Sequence, residues 1–150
     1  MNDPSMPQAL DKRFYSRVHL VTEEEMDVNG HVNNLAYLRW MQDIAIHHAR
    51  AVGSTDVNDR EGTTWFVRSH HIDYKQPAYA GEEVRIITWI HDYRRSTSHR
   101  RYSVRRANDN VELARGETLW VYVDRKTGRP LPIPDDIKSL FTLVPVDEEP

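Results

Sequence analysis

Between residues 34 and 52 the chain carries an apolar pattern that only a helix satisfies. Leu38, Met41, Ala45, Ala49 and Val52 recur at spacings of three and four, the repeat of one helical face. Leu35, Trp40, Ile44 and Ile46 fall outside that stripe, so the helix is apolar around most of its circumference and is expected to be wrapped by protein. Asn33 or Asn34 supplies the N-cap and Gly53 the stop. A helix of about 19 residues is ~28 Å long, enough to lie along the concave face of a five-stranded sheet.

The rest of the chain reads as strands. A first strand is expected over 14–22, then an acidic loop with the turn pair Asn29-Gly30, and after the helix a polar connection over 54–63. Four further strand patterns follow, at 64–75, 83–93, 99–107 and 111–124, separated by turn residues at 77–81 and 108–110 and closed by Thr127-Gly128-Arg129-Pro130. The order β-α-β-β-β-β, with hairpin-length links, predicts an α+β domain in which a curved antiparallel sheet wraps one long helix. Residues 135–140 are expected to form a short helix capped by Asp135. Residues 1–12, with two prolines and no apolar run, read as a flexible N-terminal arm rather than a signal peptide; residues 13–141 form the domain and 142–150 a loose tail.

Composition removes several kinds of chemistry. There are no cysteines, so a thiolate nucleophile, a cysteine-ligated zinc, an iron–sulfur cluster and disulfides are excluded, and a reducing, cytoplasmic location is expected. The six glycines spell neither a dinucleotide fingerprint nor a phosphate-binding loop, and neither GxSxG nor HExxH occurs. With 39% hydrophobic residues, 29% charged residues and a formal net charge of −3, the whole is not built as a nucleic-acid binder. No apolar stretch approaches the ~20 residues of a membrane span.

The densest polar cluster lies just ahead of the helix, at Asp27-Val28-Asn29-Gly30-His31-Val32-Asn33-Asn34. A helix start offers unpaired N–H groups and a partial positive charge, which suit an anion or a developing oxyanion. A carboxylate beside it is equipped to attack an acyl carbonyl or to activate water as a base. By spacing alone, an ordinary turn and cap made by the same Asp and Asn residues stays open as the other reading.

That octapeptide, followed by Tyr37 and Trp40, resembles the hot-dog-fold acyl thioesterases. It combines the D-x-x-G-x-V pattern of 4-hydroxybenzoyl-CoA thioesterases with the D-x-N-x-H-V-N-N form of acyl-carrier-protein thioesterases, and the likeness continues through Ile72-Asp73-Tyr74, Pro77, Gly81-Glu82-Glu83-Val84 and the stretch from Gly116 to Pro134. The resemblance implies a hot-dog fold and hydrolysis of an acyl-CoA or acyl-carrier-protein thioester. Asp27 then matches the catalytic nucleophile or general base, Asn29 and His31 the groups that hold the thioester or water, and the Asn34 N–H the donor to the thioester carbonyl. One departure stands out: where the plant-type enzymes carry an acid shortly after the I-x-Y strand, this chain has Gln76-Pro77, which leaves more of the chemistry to Asp27. The resemblance also implies a homodimer or homotetramer formed through sheet edges and loops. No metal or other cofactor is implied, coenzyme A entering only as part of the substrate. The same fold also serves acyl-thioester hydratases or dehydratases and non-catalytic acyl-CoA-binding proteins, which are the alternatives.

Arg94, Arg95, Arg100, Arg101, Arg105 and Arg106 occur within thirteen residues that hold no acid. Arg94, Arg95, Arg100 and Arg101 are the candidates to meet the phosphates of coenzyme A; the other reading is a strand face paired with acids from elsewhere. The histidine pairs His47-His48 and His70-His71 do not suggest a metal, because neighbours in a strand face opposite ways and a histidine late in a helix is favoured by its dipole. His70 or His71 is expected to line an acyl pocket.

Overall fold

Alternation of apolar and polar residues produces five strands in the computed structural model, which describes residues 12–150. They are β1 (Tyr15–Leu20), β2 (Thr63–Tyr74), β3 (Glu83–Tyr93), β4 (Thr97–Arg106) and β5 (Glu112–Asp124). One antiparallel sheet joins them in the order β1-β3-β4-β5-β2, so that the first two strands in sequence form its edges. Register shifts at Val67/Ser69, Ile90/Asp92 and Val104/Arg105 sharpen the twist as bulges do and curl the sheet around α1 (Asn34–Val52). This is the α+β hot-dog architecture.

The helix has the expected bounds, but it is not buried on all sides. Tyr37, Trp40, Met41, Ile44, Ala45 and His48 form the buried stripe, while Leu35 is 71% and Ile46 40% exposed. The single sheet covers only the face turned toward it. Where α1 crosses β5 the approach is close enough to require a glycine: a Cβ on Gly116 would lie 2.6 Å from Met41 Sδ.

Three segments differ from expectation. The connection after α1 is itself helical, α2 (Ser54–Glu61), and Gly53 at φ +90° is both the C-cap of one helix and the N-cap of the next. The short helix α3 (Asp135–Lys138) is capped by Pro134, not by Asp135. The expected loose tail is docked: Val144 is fully buried and donates its N–H to the Ile90 carbonyl at 2.9 Å. Glu149 bonds Arg101 and, at 2.8 Å, Arg115, whose guanidinium stacks over buried Trp89. The convex face of the sheet carries an indole and two arginines there, and the tail supplies the cover and the countercharge. The expected arm, apart from Lys12, lies outside the described residues. Among the described residues no helix is long and apolar enough to cross a membrane.

Candidate functional site

The polar octapeptide folds as a tight loop clamped to the start of α1. Met26 and Val32 form an isolated bridge, Asp27 N–H donates to the His31 carbonyl at 2.8 Å, and Gly30 N–H returns to the Asp27 carbonyl at 3.2 Å. Two further main-chain bonds fix the loop to the body: Val32 N–H to the Ala78 carbonyl at 2.9 Å and Asn33 N–H to the Glu25 carbonyl at 2.8 Å. One Asp27 oxygen, Oδ1, accepts the Asn29 N–H at 2.8 Å, a local Asx turn. The other, Oδ2, faces His31 Nδ1 at 3.8 Å. A carboxylate is therefore anchored by one oxygen and left with the second beside an imidazole.

Asn33, not Asn34, caps the helix: its side chain accepts the Leu35 N–H at 2.8 Å. Asn34 is the first helical residue, and among the described residues no acceptor takes its N–H, while its carbonyl accepts the Tyr74 hydroxyl at 2.9 Å. That N–H, at the positive end of a 19-residue helix, is placed as a donor to an anionic oxygen. A cleft of about 190 Å³ opens here, lined by His31, Val32, Asn34, Tyr37, Tyr74, Lys75, Gln76 and Pro77. Burial pushes the Tyr37 phenol up to about 12 and raises that of Tyr74, so both stay protonated at neutral pH. Gln76, standing where the plant-type pattern has an acid, is on the wall of this cleft and contributes an amide.

The structure thus brings His31 and Asn34 to one cleft, with Asp27 next to it through His31. Asn29 sits exposed at the crest of the loop, contributing its main chain to Asp27. A residue that the motif does not include underlies the arrangement. Glu25 accepts from Trp40 Nε1 at 2.7 Å and from Thr22 N–H at 2.9 Å, and bonds His19 Nε2 at 2.8 Å. Burial raises its carboxyl pKa, but these bonds outweigh that and hold it below the ordinary value. The sequence signal for Glu25 is the T-x-x-E spacing of Thr22 and Glu25, a capping box.

The four arginines offered as candidates for phosphate contact do not share one surface. Side chains along β4 alternate, so Arg100 points into the core at 4% exposure, while Arg101 faces out and is neutralised by Glu117 and Glu149. Arg105 meets Glu112, and Arg106 meets Glu82 and Asp109. Only Arg94 and Arg95 are exposed, in the β3–β4 turn; the Asp27 loop is tied to the opposite end of β3, roughly 30 Å away at ~3.3 Å per residue. The histidines also depart from expectation. His48 is fully buried, stacked on Tyr15 at 5.1 Å and edge-on to Phe141 at 5.0 Å, so it is a core residue and not a solvated dipole partner. His70 bonds Thr118 Oγ1 at 2.8 Å and His71 meets Asp73 at 3.2 Å; neither lines the cleft by α1. Among the described residues no cluster of three or more His, Asp or Glu is arranged to hold a metal.

Residues 21–141 match the model of the thioesterase-like superfamily. The chain is 27% identical to the chloroplastic dodecanoyl-[acyl-carrier-protein] hydrolase of Umbellularia californica, across 91% of this chain and 39% of that protein. It is 23% identical to the corresponding hydrolase of Cinnamomum camphora, with the same coverage. The chain therefore spans about two-fifths of the length of these curated relatives. Among solved structures, the 12:0-ACP thioesterase of Umbellularia californica superposes with a TM-score of 0.78 at 24% identity, covering 91% of this chain and 55% of that one. The 1,4-dihydroxy-2-naphthoyl-CoA thioesterase of Synechocystis gives 0.76 at 17% identity, with 85% and 94% covered. A variant 4-hydroxybenzoyl-CoA thioesterase bound to 4-hydroxybenzoyl-CoA gives 0.79 at 18% identity, with 87% and 99% covered.

Proposed function

Because the chain belongs to the thioesterase-like superfamily, we propose that it hydrolyses an acyl thioester, carried on coenzyme A or on an acyl-carrier protein, through Asp27. The observation that carries this reading is the pairing of Asp27 Oδ2 with His31 Nδ1 at 3.8 Å, set directly ahead of a helix start with an untaken N–H. In the reaction, water adds to the thioester carbonyl and its proton passes to the Asp27 carboxylate. The oxygen that gains charge is held by the Asn34 N–H, a contribution on the order of 2.7–4 kcal/mol for such a donor. The C–S bond then breaks, Asp27 returns the proton to the thiolate, and the free acid and thiol leave. In the alternative route the Asp27 carboxylate attacks the carbonyl and expels the thiolate to give a mixed anhydride; water opens it to the free acid and the Asp27 carboxyl, whose proton passes to the thiolate. His31, on the wall of the cleft, holds the thioester or the water, and Asn29 steadies Asp27 through its main-chain N–H. No cofactor takes part beyond the carrier of the acyl group.

The proposed assembly is a homo-oligomer formed through β2. That strand is twelve residues long, pairs only with β5 among the described residues, and leaves Phe66 50% exposed on its surface. A free edge of this length is a template for a second copy. Antiparallel pairing of two β2 strands about their middle sets the Tyr74 end of one, next to α1's start, against the Trp65 end of the other.

Thiol release from short, medium, long-chain and aromatic acyl-CoAs, and from acyl-carrier-protein thioesters, tests the reading. Asp27→Asn is expected to lower turnover at least ~10²-fold, the scale of an essential base, with an unchanged circular dichroism spectrum. Full activity in that variant refutes the assignment. Hydration of the acyl chain frees no thiol, so the same assay separates the two chemistries.

A further inference from the structure

Beside the C-terminal half of α1 lies a second cavity, of about 350 Å³, away from the Asp27 loop and within the size range of small-molecule sites. Its walls are mainly apolar, with Ile46, Trp65, Trp120 and Phe141 among them, yet Arg100 and Tyr93 also line it. Arg100 is the anomaly. Its side chain is held by His48 Nδ1 at 2.9 Å and Thr88 Oγ1 at 3.1 Å, both through Nη1, and its guanidinium lies 5.6 Å from the Phe141 ring centre. No carboxylate pairs with it among the described residues, whereas Arg101, Arg105 and Arg106 on the same strand all have one. Asp59, the only acid on the cavity wall, is engaged by Arg125 at 2.9 Å. A buried guanidinium without an anion is unfavourable, and among the described residues its hydrogen bonds all leave from Nη1. The Tyr93 hydroxyl is likewise buried with no partner among the described residues; burial raises its pKa, so it remains a donor.

We infer that this cavity binds a carboxylate-bearing amphiphile, with the carboxylate against Arg100 and the Tyr93 hydroxyl and the hydrocarbon body along Ile46, Trp65, Trp120 and Phe141. A single planar guanidinium and one phenol match a planar monoanion. The apolar walls match the chain attached to it. Two sources present this chemistry: a free carboxylic acid, the product class of thioester hydrolysis, and the distal carboxylate of an acyl group still on its carrier. The second source rests on the thioesterase reading; the first does not.

The experiment titrates the protein with sodium octanoate and, separately, with 1-octanol at pH 7. The readouts are calorimetry and the fluorescence of Trp65 and Trp120. Octanoate is expected to bind at least ~10-fold more tightly than the alcohol of equal chain length. Equal affinities, or no saturable octanoate binding, overturn the inference. Tyr93→Phe is expected to weaken octanoate and leave octanol unchanged. Ala49→Trp, which fills the cavity from the helix side, is expected to abolish both without touching Arg100; undiminished octanoate binding in that variant also overturns the assignment. The sources are separated by kcat/KM for octanedioyl-CoA against octanoyl-CoA. A preference for the former that is lost in Tyr93→Phe assigns the site to the distal carboxylate, and equal values alongside tight octanoate binding assign it to the free acid. Binding is read without turnover, so failure of hydrolysis and failure of this inference are distinct results.

Discussion

Removing the Glu25 carboxylate is expected to destabilise the protein by about 3 kcal/mol, and the figure follows from what each partner loses. Trp40 is 5% exposed, and its indole N–H gives Glu25 a charge-assisted bond of 2.7 Å. Leaving that donor unsatisfied costs roughly 1.5–3 kcal/mol. The Thr22 N–H is exposed and regains water, so its loss costs about 0.5 kcal/mol, and the half-exposed His19 adds between about 0 and 1 kcal/mol. For a chain of this size the sum corresponds to a fall in Tm of roughly 6–12 °C. Glu25→Gln keeps an acceptor for Trp40 and is expected to cost only about 1 kcal/mol. The pH dependence supplies a second check. The folded-state pKa of Glu25 lies below the ordinary glutamate value, so its charge stabilises the fold fully above that ordinary value, and the gain is lost as pH falls through the folded-state value. The stability gap between wild type and Glu25→Gln, measured by urea denaturation, must therefore close in acid. A gap that stays constant with pH, or a Glu25→Ala variant within about 0.5 kcal/mol of wild type, refutes the reasoning.

Acid sensitivity extends beyond that residue. Burial raises the pKa of Asp92, Glu112 and Glu149, but hydrogen bonds from His99, from Lys75 and Ser103, and from Arg101 and Arg115 respectively hold each below its ordinary value. Urea midpoints are expected to be flat near neutrality and to fall once pH drops below about 4.5, the unfolded-state range of these groups. Gly116→Ala places a methyl group against Met41 Sδ; because a methionine end can shift, the expected cost is about 1–2 kcal/mol by denaturation. Val144→Ala is expected to cost about 1–2 kcal/mol and to speed proteolysis within 142–150, and a loose tail would show neither effect. Asn33→Ala is expected to lose about 1 kcal/mol, and Asn34→Ala much less, because Asn33 makes the cap.

The elements were legible to the extent that they repeat. The bounds of α1 follow from Asn33 and Gly53, and all five strands from their alternation, to within a residue or two at most ends. The segment α2 escaped because it holds one buried apolar residue, Val57, with buried Ser54 and Asn58. It is secured by Gly53 and Gly62 at its ends and by the buried chain Asn58–Thr63–Tyr122, partners that sequence spacing does not reveal. The tail escaped for the same reason, since its docking depends on Trp89, Arg101 and Arg115 reaching one face from three different strands.

By itself the chain determined its motif. Asp27, Asn29, His31 and Asn34 lie within eight residues, so local turn geometry and a helix cap suffice to place them. Whether a side chain several strands away joins them, or is buried or free, is not local. Strand register sends Arg100 inward and Arg101 outward, and the pairing of β4 with β3 and β5 sets acids beside three of its arginines and none beside Arg100. Only the tertiary structure decided that, because whether an acid reaches Arg100 or Arg101 depends on strand register and on what lies across the sheet, as Glu117 does for Arg101.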